Sequence, residues 1–564
     1  MRQMICKGIA GYLLIGFTII IAVCLTMFSN WEVGGETWGY WYFARVFTET
    51  GGFIAPDRSP LYTLYLNLFN WMPYPVSVTT EYLVTTSITV IVLVAFFRPY
   101  LGIWLALLAA CFWIPYFQMA EPPVQKLALA SSLIAVLLRG YKTDRSSLVF
   151  SYTFLGFAYM FRSSYALLIL MFAVYDVLNI IRQGRIKSLI ANQRLVSYWP
   201  AILIMGLFFW FAMNQSPHRW NNVWLTTTTW FPSANSSLAT ASFIGHYNWR
   251  YIDEKYGTYV GHDFYFTHQE AFNGATSAIG MLRSNPRVFI NILLTNIRDL
   301  IPAATSLMLP ISTGLRFLNG LLKLLLLITV TYGALRASRD RSMTLFIIGN
   351  ILLVVAAAIS FPKSRYMFPL VPVFIMAASW YGAILATYLK KIAMNRFTLA
   401  LPTALLLVVF SGSNIISWAD ILHNAGEDIA NGHLHLLEGR DASMKGAFPI
   451  IASITQDCRG IMSLEETFFG SFLAVPQDRV YDVWEIPPFG HLKDSPYNGL
   501  NPDRIDCVLV SNSLATGVGM GTNYQIRYQN YIKPYVDQLI SYGAVKYEIP
   551  FYGHAIVLKK IKLD

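Results

Sequence analysis

In Gly35-Glu36-Thr37-Trp38-Gly39-Tyr40-Trp41-Tyr42-Phe43-Ala44, the residues Glu36, Tyr40 and Ala44 stand four apart, which places them on one face of a helix. A carboxylate at the N-terminal end of such a helix could take a proton from an attacking hydroxyl, or hold a divalent cation (Mg or Mn) against a phosphate. It could equally cap the helix, because an acidic side chain favours the positive end of the dipole. The same stretch continues into Ala55-Pro56-Asp57-Arg58-Ser59-Pro60-Leu61-Tyr62, where a proline opens a second helix. Arg58 can grip a phosphate with two parallel N–H bonds, or pair with Asp57 or a lipid headgroup. Far along the chain, Phe361-Pro362-Lys363-Ser364-Arg365-Tyr366-Met367-Phe368-Pro369 carries two more cations on a proline-bounded turn. These suit a phosphate, or simply snorkel to lipid headgroups. Glu121, in Gln118-Met119-Ala120-Glu121-Pro122-Pro123, could join Glu36 in an acidic cluster or remain a solvated loop residue.

Other chemistries lack a motif. His246, Asp253, Glu254, His262, Asp263, His268 and Glu270 could each ligate a metal, but they show no metalloprotease or zinc-ribbon spacing. There is no Walker A sequence, no glycine fingerprint before a helix and no G-x-S-x-G. Nucleotide use and hydrolase chemistry therefore have no warrant.

The elements that must position these residues follow from composition. The chain has 564 residues, 55% hydrophobic and 13% charged, with mean hydropathy +0.46, where a soluble domain carries about 25% charge. That describes a membrane protein. The net charge of +11 sits largely in short loops between apolar runs, which argues against nucleic acid as a partner. The first run, Gly8 to Phe28, is too long for a signal-peptide core and reads as an uncleaved span. Further runs lie near 78–97, 100–117, 124–139, 146–161, 164–181, 196–213, 316–335, 343–360, 366–388 and 398–417, giving about eleven spans.

With the N-terminus in the cytoplasm, Arg98, Arg139/Lys142/Arg145, Arg182/Arg185/Lys187/Arg194, Arg336/Arg339/Arg341 and Lys390/Lys391/Arg396 all fall inside, as the positive-inside rule requires. Arg162 alone marks the outer turn between 146–161 and 164–181. Three polar segments then face outward: 29–77, 214–312, and everything after Trp418. In the first, two aromatic-rich runs suit helices lying along the interface as a shelf. In the second, Asn285-Pro286-Arg287 precedes an apolar helix, Val288 to Ile297.

The expected division is a transmembrane unit over 1–417 with outer loops 29–77 and 214–312, and an extracytoplasmic α/β unit over 418–564. Strands are expected at Phe448–Ile454, Cys507–Ser511 and Ala555–Lys559, and a helix over Asn523–Tyr542. Of the five cysteines, Cys6, Cys24 and Cys111 lie in or beside apolar segments; Cys458 and Cys507 could pair if their segment is exported.

The residues in this order resemble the GT-C integral membrane glycosyltransferases, which include the protein O-mannosyltransferases and the lipid A aminoarabinose transferases. Glu36, Tyr40 and Ala44 are similar to the family's Asp/Glu-x-x-x-Tyr-x-x-x-Ala opening, and Arg58-Ser59-Pro60-Leu61-Tyr62 to its Arg-x-Pro-x-Tyr continuation. Asn285-Pro286 resembles the late outer-loop segment, and Ser364-Arg365-Tyr366 with Pro369 and Pro372 the Arg-Tyr-x-x-Pro signature. The resemblance covers residues 1–417. Two departures are that the acid is Glu rather than the commoner Asp, with Thr37 beside it in place of a second acid, and that Thr63 follows Tyr62 where proline is common.

The resemblance implies transfer of a sugar from a polyprenyl-phosphate donor to a glycan, lipid or protein acceptor on the non-cytoplasmic face of the inner (plasma) membrane. Glu36 would be the general base; Arg58, Lys363 and Arg365 would bind the donor phosphate, with Tyr40, Asp57, Glu121 and Arg162 in support. Two other readings stand beside it: a flippase or transporter of a lipid-linked saccharide, and a non-catalytic assembly subunit whose tail binds glycan. A transporter more often shows paired repeats and broken midplane helices carrying ionisable residues, and neither is visible in the sequence.

Overall fold

The structure is a computed structural model. It describes residues 15–26, 60–72, 76–119, 124–141, 145–182, 278–308, 316–338, 340–360, 366–390 and 396–430, shorter pieces of the tail, and isolated residues in the first two loops. The helices in chain order are α1 (Ile15–Thr26), α2 (Pro60–Asn67), α3 (Val76–Leu101), α4 (Ile103–Phe112), α5 (Ile114–Met119), α6 (Val124–Tyr141), α7 (Arg145–Phe161) and α8 (Ala166–Arg182). There follow α9 (Ala278–Ser284), α10 (Pro286–Thr305), α11 (Arg316–Ala337), α12 (Arg341–Ser360), α13 (Leu370–Lys390), α14 (Arg396–Phe410) and α15 (Gly412–Ala430).

Ten of the eleven expected apolar runs coincide with these helices; the run at 196–213 is described only at isolated positions. Among the described residues, four helices, Val76–Leu101, Pro286–Thr305, Asn319–Ala337 and Leu370–Leu389, are long and apolar enough to cross a membrane. A fifth qualifies if the bent pair Ala400–Phe410 and Gly412–Glu427 counts as one. Phe17, Trp104, Leu170, Ile328 and Leu405 stay exposed on their helices, the kind of apolar outer surface that lipid would cover.

The narrow turn at Arg162 is real. α7 ends at Phe161, Ser163–Tyr165 form one 3-10 turn, and α8 begins at Ala166, so the two runs are separate helices. α3 ends at Gly102, whose N–H still donates to Arg98 O at 2.9 Å and whose positive φ of +76° with extended ψ, open to glycine, turns the chain out of the helix. The expected span 100–117 is accordingly delayed, and it is split at Trp113 into α4 and α5.

Three expectations need correction. The run 398–417 is not one straight span: α14 and α15 meet at Ser411 with an 85° bend. There the Ser411 hydroxyl donates back to Leu407 O at 2.5 Å and the helix restarts over Gly412-Ser413-Asn414. The helix expected at Val288–Ile297 runs over Pro286–Thr305, long enough to span, although it falls within the outer loop drawn at 214–312. Asn285 caps it by accepting from Val288 N–H at 3.2 Å, with Pro286 in the first position. The strand expected at Phe448–Ile454 is helical where described, with Thr455 Oγ1 donating one turn back to Ile451 O at 2.6 Å.

The bundle core is a continuous apolar cluster from Ile19 to Phe410, with Trp113 stacked on Phe374 (centroids 5.8 Å) and Phe117 on Phe368 (5.6 Å). In the tail, β1 (Ile461–Leu464), β2 (Val480–Asp482), β3 (Cys507–Val510), β4 (Ala544–Ile549) and β5 (Ala555–Lys560) form one sheet in the order β2-β1-β3-β5-β4. β2, β1 and β3 run parallel; β5 is antiparallel to both β3 and β4. Cys458 is disulfide-bonded to Cys507, the first residue of β3, with Cα atoms 5.9 Å apart.

Candidate functional site

Among the described residues, the polar side chains of the bundle gather where α3 and α6 begin. α2 lies here because Pro60 sets its first turn and its face of Tyr62, Thr63 and Leu66 is buried. The Tyr62 hydroxyl donates to Glu81 Oε1 (3.1 Å), and so does Thr85 Oγ1 (2.6 Å), from one turn further along α3. The hydroxyls of Tyr65 and Thr85 pair at 2.8 Å. Two tyrosines three apart on α2 thus meet a Glu and a Thr four apart on α3, the neighbour spacing of each helix. Burial pushes both phenols up from their ordinary pKa, and the Glu81 carboxylate adds to the effect, so they are neutral donors at physiological pH.

Glu81 is 1% exposed, and its electrostatic counterpart is Lys126, also 1% exposed, from the first turn of α6. Lys126 Nζ donates to Thr86 Oγ1 at 3.3 Å and lies 4.1 Å from the centroid of the Tyr82 ring.

The first loop joins this group. Tyr40, Trp41, Ala44, Phe47 and Thr48 are helical, and Tyr40, Trp41 and Ala44 are buried, as the four-residue spacing requires. The Tyr40 ring meets the Tyr62 ring edge to face at 5.1 Å. Thr48 Oγ1 donates to Ala44 O at 3.0 Å, and Asn70 Nδ2 donates to Thr48 Oγ1 at 3.2 Å, which ties this helix to the turn after α2.

A second group lies two turns along α6. Ser132 hydrogen-bonds the buried Tyr165, the last residue of the turn that starts at Arg162. The Arg162 guanidinium is 4.9 Å from the centroid of the Tyr366 ring, and no carboxylate pairs with it among the described residues. The adjoining Met367 backbone N–H donates to the Tyr116 hydroxyl, which anchors the chain after position 365 against α5. Six residues separate Lys126 from Ser132, about 9 Å of helix, so α6 carries both groups side by side.

Of the residues singled out in the sequence, Tyr40 and Arg162 therefore lie at this end of the bundle. Glu36, Asp57, Arg58, Glu121, Lys363 and Arg365 lie outside the described residues. No three metal-ligating side chains gather among the described residues. Glu81 and Lys126 escaped the sequence reading, although a signal for them was present: an ionisable residue inside an apolar run is by default a functional candidate.

Fold and site together define a polytopic helical membrane protein with a polar, aromatic-roofed end and a tail folded on a mixed sheet. Two crystal structures of ArnT from Cupriavidus metallidurans are similar to the chain, one in the apo state and one bound to undecaprenyl phosphate. Both are 13% identical to it over 98% of each chain, with TM-scores of 0.48 (apo) and 0.47 (bound). No protein-family model and no curated protein matches the sequence.

Proposed function

We propose that the protein is an inverting membrane glycosyltransferase that uses a polyprenyl-phosphate sugar as donor on the non-cytoplasmic face. The supporting observation is that three regions far apart in sequence gather around α3 and α6: the first loop through Tyr40 and Tyr62 onto Glu81 of α3, the turn at Arg162 through Tyr165 onto Ser132 of α6, and the segment entering α13 through Tyr366 onto Arg162. Chain length keeps the residues that would do the chemistry close to these anchors. Glu36 is four residues from Tyr40, at most about 14 Å along the chain; Arg58 is two from Pro60, about 7 Å; Arg365 adjoins Tyr366.

In the reaction, Glu36 takes the proton of an acceptor hydroxyl as that oxygen bonds to the anomeric carbon. The bond from that carbon to the phosphate oxygen breaks on the opposite side, and polyprenyl phosphate departs. Arg58, Lys363 and Arg365, with Arg162 beside Tyr366, stabilise the charge growing on the departing phosphate. The energy is already in the phosphate ester, so no nucleotide is needed outside the cytoplasm.

The Cys458–Cys507 disulfide supports the orientation, because such bonds persist in oxidising compartments and the tail would then be exported. The transporter reading gains the bent pair at Ser411 and the buried Glu81 and Lys126. However, both charges sit in the first two turns of their helices, away from the midplane where coupling sites lie. The deciding experiment incubates purified protein with a polyprenyl-phosphate sugar. Free polyprenyl phosphate appearing only when acceptor is added supports transfer, whereas sugar lipid moving between leaflets without cleavage replaces it with transport.

A further inference from the structure

We propose that Glu81 is a positioning residue, with Lys126 acting on it through its charge: the buried carboxyl group holds Tyr62 and, through Thr85, Tyr65, and so fixes the start of α2, two residues after Arg58 in the sequence. This deepens the glycosyltransferase reading, on which only its catalytic consequence rests.

Three features make the pair more than a packing detail. First, it is costly to keep: two ionisable groups buried in apolar helices lose their hydration, and an apolar pair of similar volume serves stability as well or better. Second, its bonds point outward from the bundle. Glu81 Oε1 spends its hydrogen bonds on Tyr62 of α2 and on Thr85, which itself meets Tyr65 of α2. α2 thus hangs from the bundle by two phenols that converge on one carboxylate and its partner hydroxyl. Third, Lys126 acts on the carboxyl group through its charge, and its ammonium is itself held by Thr86 and the Tyr82 ring. A rotation of α2 by one residue, about 100°, would carry both phenols off Glu81 and Thr85 together. The arrangement therefore specifies one register of α2 on α3, which is what a buried polar contact does best.

Tyr62→Phe and Glu81→Gln test this in the full-length protein in membranes. Tyr62→Phe leaves the charge pair and the ring contact with Tyr40 in place, so it folds even where a bare Lys126 impairs Glu81→Gln. A Ser59→Cys reporter is introduced with Cys6, Cys24 and Cys111 replaced by alanine, and its reaction with a membrane-impermeant maleimide is timed. Loss of one hydrogen bond to a charged acceptor should raise the labelling rate about tenfold in each variant, and raise the donor KM about tenfold with kcat little changed. A general loss of folded protein would instead lower the apparent kcat and leave KM alone. Unchanged labelling in Tyr62→Phe overturns the proposal, whatever the kinetics do. Faster labelling in a protein that cleaves no polyprenyl-phosphate sugar in its wild-type form leaves the bracket standing and removes the transferase reading.

Discussion

Replacing Arg162 with alanine should weaken donor use more than any other single change among the described residues outside α3 and α6. Its guanidinium face is taken up by the Tyr366 ring at 4.9 Å, which leaves the edge of the fork, where the N–H donors are, for an anion. A hydrogen bond between charged groups contributes about 1.5–3 kcal/mol, so Arg162→Ala should lower kcat/KM for the donor roughly 10- to 150-fold. Arg162→Lys keeps the charge but neither the flat stack nor the fork, and should fall nearer to alanine than to wild type. Tyr366→Leu removes only the ring face, about 0.5–1 kcal/mol, or roughly two- to fivefold. The assay is the initial rate of polyprenyl phosphate release against donor concentration, with thermal unfolding in detergent as the folding control. Wild-type kinetics in well-folded Arg162→Ala would refute the reasoning, and full activity in Arg162→Lys would show that the stacked fork is irrelevant.

Glu36→Gln should abolish transfer while expression and membrane insertion are unaffected; turnover at the wild-type rate would end its assignment as the base. In the bundle, Arg139 makes two bonds to Asp176 (3.2 and 2.6 Å), with Tyr152 also donating to that carboxylate at 2.6 Å. Asp176→Asn therefore leaves a buried cation and should cost about 3–5 kcal/mol. Adding Arg139→Met should recover most of this in a thermal melt, and a double variant as unstable as the single one contradicts the pairing. In the tail, Cys507→Ser opens a loop of sequence separation 49; closing one of that length contributes about 4 kcal/mol on the chain-entropy account. The tail should become protease-sensitive while the bundle does not, and maleimide labelling of both cysteines in untreated protein would rule the bond out. Because the folded pKa of Tyr62 is raised, its contribution is complete below the unfolded value near 10 and is lost only as pH climbs through the folded one. The stability gap between wild type and Tyr62→Phe should be flat from about pH 6 to about pH 9, and a gap that closes below about pH 8 speaks against a neutral phenol.

Apolar runs were the most legible part of the chain, because hydropathy over a window of helix length survives small errors at the ends. The turn at Arg162 was readable for the same reason: merging its two flanking runs spoils the charge pattern. What the window hides is anything one or two residues wide. Glu81 and Lys126 each disappear in an average over some twenty apolar neighbours, and the break at Ser411 depends on one hydroxyl finding the carbonyl a turn back. In the tail, the β-branched residues around Ile450–Ile454 suggest a strand, but this propensity is a weak prior that the surrounding fold overrides. The shelf was legible in outline from its aromatic spacing, and Tyr40 and Ala44 are buried as expected. Its fastening was not, since nothing in the spacing of Tyr62 and Tyr65 says that a carboxylate nineteen residues after Tyr62 receives the first of them.

Three cations on or beside α6 and its neighbours show how the protein separates structural charge from available charge. Arg139 is closed off by Asp176, Ser151, Tyr152 and Phe172. Lys126 is closed off by Thr86, the Tyr82 ring and the field of Glu81. Both are shut in because a bare charge in apolar surroundings is intolerable, and both are satisfied within the protein. Arg162 is only half-buried, and it is held by an uncharged ring that orients it without neutralising it. On the proposed function, a cation kept at the end of an apolar bundle, oriented but unneutralised among the described residues, would have its charge left for an anion that is not part of the chain. A lipid phosphate meets that requirement, since its tail would lie among the same helices that keep the guanidinium at the boundary.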